Sequence, residues 1–576
     1  MLLSIHGFLA IILIVGLSYT FLISSIHVIS GQLPITEDII QYEKNSNFIK
    51  EFKIPINERG LKGITTDSGD NVWFYHATAN ASMIMKMSKE GTNIAKYPIV
   101  GNTITDTAVI NLAGGQLIFD NTSDLIWFTD ARTNSMGKLD IKSSKIQLFS
   151  IPTNNSGIMG LALSPDKKVV WFTEIIGNKI GTLDVASNKI TEYPTGDNSG
   201  PTLLTFDRKG ILWVTLSYAN SILRVEPWLL IPGTKSSAGM YALSLEKPDF
   251  FSPFGIAIGK INGIEKLVVS DHGSSRVIVA NIDSDLKNYT SYWTSPSKAL
   301  PMSLPTQVVS DKLGNIFFLE HGGNKIVKIF ADNGVMTEFD IPTGPLSDSL
   351  FLSVSDDAMR IWFTESKSNK IAYLDNTIGT PLALSINGEK QSSQESNQSV
   401  ILKEGDSYSI NVTLTLDKNV SSLVSANDTT LSIVGMTDSG LQGIKYTSIP
   451  STLNLTEFPE KKAKTELDLK VERDKAIAGI YTVMIRVSLL ERGNLILSTL
   501  YPQMVKLDVP KLPSAINKSE NFEPYFTTSP KSPESTTLLS RDNIKIGAAI
   551  VAVALAGYLI YHNIVRRRNK SKETKK

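Results

Sequence analysis

The stretch Val170–Asp184, VWFTEIIGNKIGTLD, recurs through the first two thirds of this 576-residue chain. Aligned on its Trp, the copies fall at Trp73, Trp127, Trp171, Trp213, Val268, Phe317 and Trp362, with steps of 54, 44, 42, 55, 49 and 45 residues. Repeats of that length belong to propellers and solenoids, whose units bury their apolar faces against one another. Within the clearest copy, short β-rich segments lie at Gly157–Leu163, Val169–Glu174, Lys179–Asp184 and Lys189–Tyr193, separated by turn residues. Four strands per unit is propeller-blade architecture. The expectation is an all-β chain: a seven-bladed β-propeller over 45–380, followed by a β-sandwich.

The copies agree at two positions that read as scaffold. The aromatic residue is expected to pack between neighbouring blades, where a large ring buries much area. Four residues past the strand end stands Asn80, Asn134, Asn178, Asn220, Asn324 or Asn369, with Ser275 in the remaining copy. Asn suits a tight turn because it tolerates left-handed dihedrals and can bond nearby backbone. That role makes the sequon at Asn80 a poor glycan site. The outer strand has its own signature, ITEYPTG at Ile190 and MTEFDIPTG at Met336, and FIKEFKIP at Phe48–Pro55 has the same style. The copy at Trp362 lacks an outer strand of its own, so Phe48–Pro55 is expected to complete it and close the ring, removing an exposed sheet edge.

The motifs WFTE, NKIGTLD and ITEYPTG resemble those of the virginiamycin B lyase (streptogramin lyase) family, over roughly residues 45–380. That resemblance implies a seven-bladed propeller and a Mg2+-dependent elimination that linearises a cyclic depsipeptide, using His and Glu from loops on one face. Fold resemblance alone does not transfer activity. At the strand-end position the copies carry His76, Asp130, Glu174, Leu216, Asp271, Glu320 and Glu365. The next position holds His272 and His321 in adjacent copies, two of only six His in the chain. Two imidazoles beside carboxylates could supply a general base or hold a divalent ion. The resemblance makes His321 and His272 the candidate catalytic residues, and Glu320, Asp271 and Glu365 the candidate ligands of Mg2+. The family places a Glu two residues before its catalytic His, whereas this chain has Leu319 there and Glu320 immediately before His321. The alternative is that both His are loop residues bonded to neighbouring blades.

Past the repeat, 382–510 changes pattern. SYSINVTLTL at Ser407–Leu416 and GIYTVMIRV at Gly479–Val487 alternate as half-buried strands do, which fits an immunoglobulin-like sandwich acting as a spacer or adhesion module. Residues 511–543 are rich in Pro, Ser and Thr and suit an extended stalk. Residues 546–565 form an apolar run long enough to span a bilayer, and the basic tail 566–576 is expected in the cytoplasm by the positive-inside rule. Residues 1–30 contain an apolar stretch with no Lys or Arg before it, a signal peptide or an anchor helix. The body is then expected to face outward from a cell membrane.

The chain has no cysteine, which excludes disulfides, thiolate nucleophiles and Cys-based zinc sites. Sequons such as Asn411, Asn419, Asn427, Asn454 and Asn517 fit an external location. A formal net charge of +1 gives no global field toward nucleic acid, so none is expected as a partner. Two functions remain open: binding of an extracellular ligand or protein at the loop-lined face, or cyclic-ester elimination. A lactone hydrolase of the related six-bladed gluconolactonase type is a third.

Overall fold

The computed structural model describes residues 48–509, apart from 104, 232–237, 246–249, 283–285, 296–301, 345–346, 387–388, 391–398, 402, 404, 418–428, 438–443, 450–451, 455–461, 472–478. The proposed leader, stalk, membrane run and tail lie outside the described residues. Among the described residues no helix is long and apolar enough to cross a membrane.

Each of the first six repeat copies forms four antiparallel strands that pair in chain order, as in Ile158–Leu163, Val169–Glu174, Lys179–Asp184 and Ile190–Pro194. The first strand of most units carries a register shift near its start, for example between Pro305 and Val308. The unit of Trp362 breaks chain order: Ile49–Lys53 pairs antiparallel with Lys370–Asp375, Ile49 opposite Leu374 and Lys53 opposite Lys370. Phe48–Pro55 thus supplies the missing outer strand. The architecture is that of a β-propeller.

The aromatic position packs across each seam. Trp73 clusters with Leu117, Ile126 and Phe128 of the next unit, and Trp127 with Ile158, Leu161 and Phe172. At the closure, Trp362 clusters with Ile64 and Phe74 of the first unit. A second seam device is a hydroxyl two residues after that Trp or Val, bonded to the innermost strand of the following unit. Thr129, Thr173, Thr215 and Ser270 donate to the carbonyls of Met159, Thr202, Phe254 and Thr306 at 2.5–3.0 Å. In the sixth unit this position is Leu319, and in the seventh the Thr364 hydroxyl is buried without a partner.

The turn Asn behaves as expected in five units. Asn134, Asn178, Asn220, Asn324 and Asn369 all have φ near +50°, as does Ser275. Asn80 departs. Its hairpin continues one pair farther, to Ala77 opposite Ser82, so Asn80 falls at a different turn position and is exposed without left-handed φ. The argument against a glycan at Asn80 therefore fails.

The region beyond the repeat is also β, with strands at Ser407–Leu416 and Gly479–Glu491. One sheet contains Leu382–Ile386, Ser407–Leu416, Lys462–Val471 and Ile444–Ile449. The other continues directly from the sixth unit: Asn494–Val509 pairs antiparallel with Met336–Asp340, Met336 opposite Leu500 and Phe339 opposite Leu497. Leu431, Leu467 and Leu489 join the same core as Phe317, Phe339 and Phe363. This region therefore shares a sheet and a hydrophobic core with the sixth unit.

Candidate functional site

The hairpins joining second to third strands gather at one end of the units, and the residue just past each strand end faces the next seam. In the fourth and seventh units it is Ser217 and Ser366, whose hydroxyls donate to the carbonyls of Pro253 and Leu61, each at 2.5 Å. His272 makes the same tie in the fifth unit, with Nδ1 3.0 Å from the Pro305 carbonyl. His321 occupies the equivalent place in the sixth unit and makes no such bond: both its ring nitrogens are buried without a hydrogen-bond partner among the described residues.

The structure brings the two imidazoles together, with ring centroids 5.2 Å apart and planes at 74°. Phe254 lies 6.0 Å from His272 on its other side. Burial lowers the pKa of His272. Burial, with His272 and Lys367 nearby, holds His321 well below the usual imidazole range. The 3.9 Å approach of His321 Nδ1 to Asp348 Oδ1 is therefore not an ion pair at neutral pH, and Asp348 lies closer to Lys367 Nζ, at 3.4 Å. A neutral imidazole with both nitrogens unengaged can accept a proton or hydrogen bond from a bound molecule and donate another.

The three strand-end acids lie elsewhere. Asp271 is fully buried, accepts from Arg276 Nε at 2.9 Å and from the Phe251 N–H, and is pushed upward by burial despite that partner. Glu320 and Glu365 each face a Lys at the start of the third strand and a Glu on the fourth. Glu320 lies 3.7 Å from Lys325 and beside Glu338. Glu365 lies beside Glu51, which pairs with Lys370 at 2.6 Å. The same slot recurs as Glu174, Lys179 and Glu192, with Lys179 and Glu192 2.6 Å apart. Burial first, then the neighbouring carboxylate, raises the strand-end acid, to about 8 for Glu174 and Glu365 and well above the ordinary range for Glu320. At neutral pH this leaves Lys179 to Glu192 and Lys370 to Glu51, whereas Lys325 donates to the carbonyls of Ser295 and Gly323 and the outer Glu338 pairs with Arg486.

The slot thus recurs in three units, and both carboxyl oxygens of Glu320 and one of Glu365 are buried without a hydrogen-bond partner among the described residues. Among the described residues no three His, Cys, Asp or Glu groups stand together as a ligand set, and Asp271, Glu320 and Glu365 stand at the strand ends of three different units.

Other groups at this end were not singled out by the sequence. Tyr218, one residue past Ser217, has a buried hydroxyl without a partner, and burial pushes it up to about 12. Ser349 Oγ and Thr364 Oγ1 are likewise buried and unbonded. Lys62 donates to the carbonyls of Ile110 and Ala113 at 2.5 and 2.6 Å, pinning the C-terminal end of helix Thr107–Leu112, and burial lowers it to about 8. The only sequence signal for Tyr218 was its offset from the His position.

Among curated proteins none matches this chain. Among solved structures, a streptogramin B lyase aligns at 24% identity over 57% of this chain and 97% of its own, with a TM-score of 0.47. A virginiamycin B lyase from Staphylococcus aureus aligns at 23% identity over 57% and 98%, also with a TM-score of 0.47. Residues 47–259 match the model of the virginiamycin B lyase family.

Proposed function

We propose that this chain is an outward-facing, membrane-anchored propeller of seven blades with an immunoglobulin-like sandwich, and that it binds a ligand at the end where His272 and His321 meet. The observation that carries this reading is His321. Its two ring nitrogens are buried, the ring lies 5.2 Å from a second imidazole, and neither nitrogen is hydrogen-bonded among the described residues, while the matching residues of three other units are tied to the next seam. Leaving a buried polar group unbonded costs about 1–3 kcal/mol, a cost that a ligand's hydrogen bond would remove. The ligand should combine a hydrogen-bonding group for His321 with an apolar part for Phe254. The sequence features beyond the described residues, the apolar run 546–565 and its basic tail, support the anchorage.

The second reading is elimination from a cyclic ester, favoured by the neutral, unbonded imidazole, which has the character of a general base. Against it stands Leu319 in place of the family's Glu. Lactone hydrolysis has no separate observation in its favour. The test is to incubate the purified full chain with cyclic depsipeptides and lactones, with and without Mg2+, and to follow ring opening and binding by mass spectrometry. Ring opening abolished by His321→Ala would establish the lyase. Binding lost in His321→Ala without turnover supports the preferred reading, and neither binding nor turnover across the panel counts against both.

A further inference from the structure

The end of the units opposite the His pair carries the hairpins joining first to second strands and the loops joining third to fourth. Six of the eleven large hydrophobic side chains exposed among the described residues lie there: Trp228, Leu229, Ile231, Ile264, Leu313 and Met359. They come from the fourth, fifth, sixth and seventh units. Trp228 and Leu229 belong to a short helical turn, Pro227–Leu229, in the longest third-to-fourth connection, and Trp228 is 61% exposed. Leu313, 74% exposed, is the tip of its own hairpin. Three ion pairs lie on this end: Arg208 with Glu265 at 2.5 Å, Lys312 with Asp356 at 3.7 Å and Lys167 with Asp120 at 3.3 Å.

We propose that this end seats on the surface of a lipid bilayer, with Trp228, Leu229 and Ile231 entering the headgroup region. Apolar side chains exposed on four units, with Trp228 among them, suit an interface in which indole is favoured and apolar side chains dip a few ångströms. The inference rests on the anchored reading of the chain, which keeps a bilayer within reach. It adds an orientation: the His pair then faces away from the membrane.

The seven Trp make the test direct, because none lies in 1–30 or 546–565, and Trp73, Trp127, Trp171, Trp213 and Trp362 are buried. The full chain is reconstituted into phosphatidylcholine vesicles with and without brominated acyl chains, and Trp emission is compared. The expected result is a loss of emission in brominated vesicles that disappears in Trp228→Ser, shrinks in Ile264→Glu/Leu313→Glu, and persists in Phe251→Ser at the opposite end. Protein that floats with the vesicles but shows equal emission in both lipids overturns the seating while leaving the anchorage intact. Protein that does not float overturns both. An emission change that follows protein concentration and ignores bromine assigns this end to a second copy of the chain and overturns the proposal.

Discussion

Replacing Arg486 by Met tests the junction between the sixth unit and the region beyond the repeat. Arg486 Nη1 lies 2.5 Å from Glu338 Oε2 and donates to the Ser295 and Ser498 hydroxyls, while Nη2 donates to the Trp293 carbonyl at 2.6 Å. Glu338 is fully buried. Burial alone would raise its carboxyl, but Arg486 and Lys325 overcome that and bring it from 4.5 to about 2. A carboxyl held that far down corresponds to about 3 kcal/mol of stability at neutral pH, in line with the roughly 3–5 kcal/mol lost when one partner of a buried pair is removed. Because the folded-state value is depressed, this stability is present above pH 4.5 and is lost as the pH falls from 4.5 toward 2. Arg486→Met should therefore lower the unfolding free energy by about 3 kcal/mol at pH 7, and the deficit should shrink in acid. Adding Glu338→Gln should recover most of the loss, since no buried charge is then stranded. Urea denaturation followed by Trp fluorescence and circular dichroism at pH 7 and pH 4 gives the comparison. A loss under about 1 kcal/mol, or no recovery in the double variant, would refute the argument that the pair is desolvated and mutually dependent.

The seam tryptophans differ in a way that a conservative change exposes. The Trp213 indole donates to Asp207 at 2.9 Å, whereas the Trp362 N–H has no partner. Trp213→Phe should thus cost about 1–3 kcal/mol more than Trp362→Phe, by stranding a buried acceptor, as measured by denaturation midpoints. Burial opposes protonation of His272 and His321, so the unfolded chain takes up protons first, and these residues make stability fall as the pH drops below 6.5. His321→Gln should flatten that slope between pH 7.5 and 5. The comparison is variant against parent because Glu174 and Glu365, raised to about 8, contribute in the opposite sense between 4.5 and 8.

What the sequence made legible was local. The four strands of the Trp171 copy appear within a residue or two of their expected limits, because alternation and turn chemistry act over a few residues. The closing strand was legible because FIKEFKIP repeats the outer-strand signature. The meaning of the strand-end acids was not. Whether Glu320 faces a ligand or Lys325 depends on strand pleat and on Glu338, and Glu338 in turn depends on Arg486, 148 residues away. Adjacency in the repeat points to the His pairing, but the difference between the bonded His272 and the unbonded His321 lies in contacts with the innermost strand of the next unit. Asn80 shows the limit of alignment by offset: one extra strand pair changed the turn position, and the same residue type then adopts another conformation.

Closure through Ile49–Lys53 also sets a clock on biogenesis. The strand that this segment must join, Lys370–Asp375, is made about 320 residues later, which at ribosomal rates of ~5–20 residues per second is a delay of roughly 16–64 seconds. Until then Ile49–Lys53 has no strand to pair with, and Glu51 lacks both Lys370 and Thr343. The fold can be locked only after nearly two thirds of the chain has emerged, so the newborn polypeptide spends its most vulnerable interval with one sticky strand unprotected. Substitutions that slow the making of the last unit should lower yield without altering the finished molecule.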